Sequence, residues 1–186
     1  MKLITYSTKH NGITLLELMV TIAIVAIISQ LSMWFFPDFL ALNRADNQVN
    51  LLHRNINYAR LYAIENSTYV TLCALKNNEC QKGDWEEQIS LFIDNDKSTS
   101  LNNDELMLST FEHTHEFDSL EYPREALTFR PDGSLNGFQN GTFIYCPNSD
   151  KANLEGLALS VSQTGRIRIK STDKCQQKQA AYLPQQ

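Results

Sequence analysis

Nineteen consecutive residues, Leu18 to Phe36, carry no charge. A run of that length suits a helix that crosses a bilayer. It constrains the chain more than any other feature, because the remaining residues supply only one modest domain beside it. The chain has 186 residues, of which 42% are hydrophobic. The twelve residues ahead of Ile13 are polar, with Lys2, Lys9 and His10 and no acid. Basic charge before the apolar run holds that end in the cytoplasm. A secretory signal would be cut beyond the run at a small-residue triplet, but the chain continues as PDFLALNRAD. Hydropathy alone leaves a permanent anchor and a specially processed leader as alternatives.

One carboxylate, Glu17, sits at the start of this segment, five residues after Gly12. Moving a carboxylate into the bilayer centre costs about 2.5–3.5 kcal/mol on insertion scales, so it implies a partner, or else snorkelling to the headgroups. The pattern Gly12-ITLLELMVTIAIVAI resembles the class III signal of type IV pilins and pseudopilins. The resemblance implies that a prepilin peptidase cuts after Gly12 and methylates the new amino terminus, Ile13. Glu17 would then form an assembly salt bridge with the amino terminus of a neighbouring subunit. Ile13 stands where the family usually has phenylalanine, and the proline that often kinks this helix is later than usual, at Pro37.

Beyond Pro37, Leu42, Ala45, Val49, Leu52, Ile56, Ala59 and Ala63 recur by threes and fours, an apolar stripe on a polar helix. A helix over residues 13–65 would be about 80 Å long at 1.5 Å per residue. After ENST, the segments YVTLCAL, EQISLFID, LMLSTF, ALTFRPDG, GTFIYC, GLALSVSQTG and RIRIKS read as short strands. PDGS, QNG and QTG supply turn chemistry. The expected class is α+β: a long helix, membrane-spanning in its first half, packed on a small antiparallel β-sheet domain. The organisation is a leader over 1–12, a transmembrane and filament-core helix over 13–36, its continuation over 37–66 and a periplasmic β domain over 67–186.

Cys73, Cys80, Cys146 and Cys175 suit an extracytoplasmic domain and allow three pairings. Cys73–Cys80 is favoured as a local clip and Cys146–Cys175 as a staple on the tail. Closing the latter loop is worth about 3–4 kcal/mol in the chain-entropy treatment. Zinc is disfavoured because no C-x2-C pair is present. Asp94, Asp96, Ser98 and Glu105 occupy positions 1, 3, 5 and 12 of a calcium-type loop, but Thr99 replaces the glycine of its sharp turn. A strand-like segment also precedes it, so a solvated hairpin is expected. His113 and His115, in EHTHE, read as wet histidines of an acidic loop. No nucleophile–base pair or phosphate-cradling glycine loop is visible. No enzyme activity, catalytic residue, resident metal or cofactor is expected.

Charge is unevenly distributed on a chain of net charge −5. Residues 79–125 contain 13 acids and 3 bases, whereas 151–178 contain 6 bases and 2 acids. In the basic region, Arg166, Arg168 and Lys170 alternate with Ile167 and Ile169. A strand would project these cations from one face at about 6.6–7 Å spacing with the isoleucines inward, and Lys174 and Lys178 would follow. Such a row can meet phosphates along a nucleic-acid backbone, although alternating charge on an edge strand also serves solvation.

The cysteine pair, a tryptophan, the F-x-D turn before an acidic stretch and LTFRPDGSLNGFQNGTFIYC resemble the globular domain of FimT/GspH minor pilins and pseudopilins. Gly165, Arg166 and Arg168 match the G-R-x-R motif of FimT-like DNA-uptake pilins. The resemblance implies a single-pass inner-membrane protein with its globular domain in the periplasm, later built into an extracellular pilus. Expected partners are major and minor pilins, the prepilin peptidase and double-stranded DNA captured for natural transformation. The alternatives are a structural minor pilin that primes assembly without binding DNA, and a type II secretion pseudopilin.

Overall fold

The computed structural model describes residues 14–112, 114–148 and 154–175; within the first helix, the side chains of 31–35 fall outside that description. The chain divides into two units, Met1–Pro37 and Asp38–Gln186, and helix α1, Leu15–Glu65, contains Pro37.

In the first unit, α1 opens on a side-chain cap. The Glu17 amide donates to Thr14 Oγ1 at 3.2 Å, so Thr14 satisfies an amide that the first helical turn leaves without a partner. The sequence TLLE therefore has the spacing of a capping box, with an acid at the positive end of the helix. Leu15, Leu16, Leu18, Met19, Ile22, Val25 and Ile28 are all exposed. Among the described residues, no helix is long and apolar enough to cross a membrane. The expected transmembrane segment, 13–36, includes residue 13 and the side chains of 31–35, which lie outside the described residues.

In the second unit, α1 buries a stripe comprising Ala41, Ala45, Val49, Leu52, Ile56, Ala59 and Ala63. The expected stripe began at Leu42, but Leu42 is 43% exposed. At about 100° per residue, Ala41 falls in line with Ala45 and Ala59, whereas Leu42 falls on the flank.

Two antiparallel sheets complete the core. The first contains β1 (Val70–Lys76), β2 (Glu79–Cys80), β3 (Ile89–Ile93), β4 (Met107–Phe111) and β6 (Leu127–Phe129). It runs β2-β1-β3-β4, with β6 also pairing β1. The second runs β5-β7-β8-β9: Ser119–Glu121, Gly141–Cys146, Gly156–Val161 and Ile167–Thr172. The two strands not anticipated, β2 and β5, are two and three residues long, too short to display alternation. Asn77 and Asn78 close the β1–β2 hairpin with φ of 54° and 65°, the left-handed geometry that asparagine tolerates.

The helix stripe from Ala45 to Ala63, Val70, Leu72, Leu91, Phe92, Leu127, Phe129, Phe143 and Leu159 belong to one buried cluster. Trp85 lies fully buried against the rings of Tyr122 and Phe143, at 5.3 and 4.9 Å between centroids. Its indole N–H donates to Arg124 O at 2.7 Å, so the ring packs without stranding its polar atom.

Candidate nucleic-acid interface

Arg168 and Lys170 lie on β9, an edge strand of the second sheet, whereas Arg166, expected on the strand, stands just before its first residue, Ile167, and Lys174 lies beyond its last, Thr172. Register fixes which way the strand faces. Leu159 and Val161 of β8 are buried and stand opposite Ile169 and Ile167. Arg168 and Lys170 stand opposite Ser160 and Ala158 and so belong to the other face of the sheet. Arg166, Arg168, Lys170 and Lys174 are all exposed. The inward packing expected of both isoleucines is only half met: Ile167 packs on the core, but Ile169 is 40% exposed. An edge strand has a neighbour on one side only, and this limits how far Ile169 can be covered.

The turn leading into β9 is tied to α1 and to the loop after β6. Ser162 N–H donates to Arg166 O at 2.9 Å, and Gly165 N–H donates to Ser162 O at 2.9 Å. Arg60 of α1 donates through Nε to Gly133 O at 2.9 Å and through a terminal nitrogen to Thr164 O at 3.3 Å. Gly165 is buried with φ +74°, and a Cβ there would lie 2.4 Å from Gly133 O. Of the predicted interface residues, Gly165 therefore cannot present a surface; it allows the turn that presents Arg166.

The cysteines pair as Cys73–Cys80 and Cys146–Cys175. The second disulfide pins the segment that follows β9 beside β7, which brings Lys174 next to a buried anchor, Cys175. Gly156 makes room for it, since a Cβ there would meet Cys175 Sγ at 2.2 Å and Tyr145 O at 2.7 Å. Lys178 lies outside the described residues, as do Gly12 and Ile13 of the cleavage site and His113. Glu17 is exposed on the first turn of α1.

A half-buried ion pair, with Asp118 covered and Arg44 partly exposed, ties the second sheet to the helix. Arg44 donates to both carboxylate oxygens of Asp118, each at 3.1 Å. Tyr145 Oη donates to Asp118 at 2.7 Å and the Asn148 amide at 2.8 Å. Burial raises the Asp118 pKa, but the bonds from Arg44, Asn148 and Tyr145 outweigh it, and the net pKa lies below the ordinary carboxylate value. Burial, with Asp118 beside it, pushes the Tyr145 hydroxyl upward. Arg44 and Asp118 are 74 residues apart, and no sequence pattern pointed to them.

The acidic loop departs from a merely solvated hairpin. Asp94 is fully buried and accepts from Thr71 Oγ1 at 2.6 Å and from the amides of Ser98 and Thr99. Thr99 adopts the positive φ, 57°, of the glycine it replaces. Carboxylate oxygens of Asp94, Asp96 and Glu105 lie within 4.8 Å of one another. Burial raises the Asp94 pKa, while bonds from Ser98 lower that of Asp96. The loop supplies donors to its own acids, and no buried side-chain nitrogen or oxygen among the described residues lacks a partner.

Against known proteins, the sequence matches the family described as Type II transport protein GspH over residues 48–165 and the prokaryotic N-terminal methylation motif over residues 7–29. The first match spans more than half of the chain, and the protein belongs to the GspH family. Among solved structures, the type IV minor pilin FimU of Pseudomonas aeruginosa strain PAO1 is 23% identical, with a TM-score of 0.53 over 71% of this chain and 92% of that one. The minor pseudopilin EpsH from the type 2 secretion system of Vibrio cholerae is 13% identical, with a TM-score of 0.49 over 69% and 97%. No curated protein matches. The FimU likeness establishes the fold. The chain thus joins a GspH-family domain to a prokaryotic N-terminal methylation motif.

Proposed function

We propose that the protein is a minor pilin of a type IV pilus, incorporated at or near the tip, that contributes to assembly and captures extracellular DNA through β9. In this reading the peptidase cuts after Gly12, Ile13 becomes the methylated terminus and Glu17 contacts the terminus of a neighbouring subunit. The chain crosses the inner membrane once, with its globular domain in the periplasm, before it enters the pilus.

The observation that carries the DNA reading is the row itself. Arg166, Arg168, Lys170 and Lys174 are exposed on an edge strand and the residues flanking it, and net charge elsewhere is negative. Across residues 79–125, 13 acids face 3 bases. That acidity repels a polyanion and confines contact to the basic strand. The contacts would be sequence-independent, because cations on phosphates carry no base information.

The experiment exchanges Arg166→Gln and Arg168→Gln together at the chromosomal locus. Surface pili are counted and uptake of labelled duplex DNA is measured in the same cells. Uptake lost with pili retained is expected. Pili and uptake both at wild-type level would remove DNA from the reading and leave a structural minor pilin. The family description, Type II transport protein, favours a second reading as a secretion pseudopilin. Loss of protein secretion but not of pili on deletion would select it.

A further inference from the structure

Phe138 is the most exposed large apolar side chain among the described residues, at 88%. It follows Gly137, whose φ is +58°, in the loop between β6 and β7. That loop is bonded to the turn that opens the cation row. Gln163 Nε2 donates to Leu135 O at 2.8 Å and Gly137 O at 2.7 Å, and Leu135 N–H donates to Gln163 O at 2.9 Å. Three residues further on, Arg166 begins the row. Asp132, the nearest acid along the loop, accepts from Ser134 through both its amide and its hydroxyl.

We infer that Phe138 is a stacking platform for an unpaired base, so that this surface takes single-stranded DNA, with β9 tracking the phosphates beside the ring. The inference rests on the DNA-binding reading of β9. A cation row alone attracts any polyanion. A bare ring adds a face that every base can stack on once it leaves the duplex, without sequence preference. A duplex keeps its bases within its own stack and offers the ring little. The ring stands on a loop bonded to the turn three residues ahead of Arg166, which distinguishes it from the exposed apolar residues of the first half of α1.

The test uses the full chain in mild detergent, with fluorescence anisotropy of a labelled single strand and of the same strand as a duplex. Thermal melting of each variant checks the fold. Phe138→Ala is expected to weaken single-strand binding by about 5- to 150-fold, the loss that follows removal of one stacked base. Duplex binding should change by less than about twofold, because the ring makes no stack there, and Phe138→Trp should keep wild-type affinity. If Phe138→Ala binds single strands as well as wild type, or weakens both forms equally, the stacking role is overturned. In that case the DNA reading of β9 stands provided Arg166→Gln with Arg168→Gln abolishes binding. If the wild-type chain binds neither form at low salt, the reading of β9 fails and the stacking role fails with it.

Discussion

Replacing Arg44 by alanine tests how the helix is fastened to the second sheet. The substitution removes two bonds of 3.1 Å to Asp118, whose side chain is fully buried, while the Arg44 side chain is 30% exposed. Removing one partner of a buried pair typically costs 3–5 kcal/mol. Here Asp118 keeps the Tyr145 hydroxyl and the Asn148 amide, and the partly wet arginine was held less tightly, so a loss of about 2–3 kcal/mol is expected. Each kcal/mol moves the melting temperature of a domain this size by about 2–4 °C, which gives a drop of roughly 4–12 °C at neutral pH. Acid should narrow the difference. The Asp118 pKa is lowered in the folded state, so its contribution is complete above the unfolded value of about 3.9 and is lost as pH falls through the folded value. Melting is followed by near-ultraviolet circular dichroism on the detergent-held chain at pH 7 and in a series descending below pH 4. A variant that melts with wild type at pH 7, or a difference that widens in acid, would refute the reasoning.

Gly165→Ala should lower both melting temperature and DNA affinity, since it places a Cβ 2.4 Å from Gly133 O at φ +74°. Strain of this kind costs about 1–3 kcal/mol; Arg166→Gln, by contrast, should lower affinity alone. Paired Cys146→Ser and Cys175→Ser should cost about 3–4 kcal/mol by equilibrium unfolding, with the Cys73–Cys80 clip still detectable by mass. Intact-mass analysis of chain extracted from cells that contain the peptidase should find Ile13 as a methylated first residue; an intact Met1 terminus would contradict processing.

The parts of the fold that repeat were legible in the sequence. The helix announces itself through a stripe of threes and fours, and seven strands through β-branched runs bounded by turns. The stripe slipped by one position because Leu42 is more hydrophobic than Ala41, yet helix geometry and not hydrophobicity chooses the buried residue. Strands β2 and β5 exist because stronger neighbours, β1 and β7, recruit them, and a two- or three-residue segment cannot signal that. The cation row could be read because a strand converts alternation into a face. The supports of its turn could not. Arg60 and Gly133 are 73 residues apart, and their pairing is a tertiary fact with no local periodicity. Phe138 stood in plain sight in GFQN, but only its exposure distinguishes it from a core phenylalanine.

The dependence of DNA affinity on salt tests the central claim most directly. For duplex binding, log K falls against log salt with a slope of about −0.9 per phosphate neutralised. Contacts from Arg166, Arg168, Lys170 and Lys174 predict a slope of about −3 to −4 for wild type. Arg166→Gln with Arg168→Gln should reduce that magnitude by roughly 1.8, with melting temperature unchanged. A double variant with the wild-type slope would show that the phosphates meet some other surface, and β9 would be a solvated edge strand.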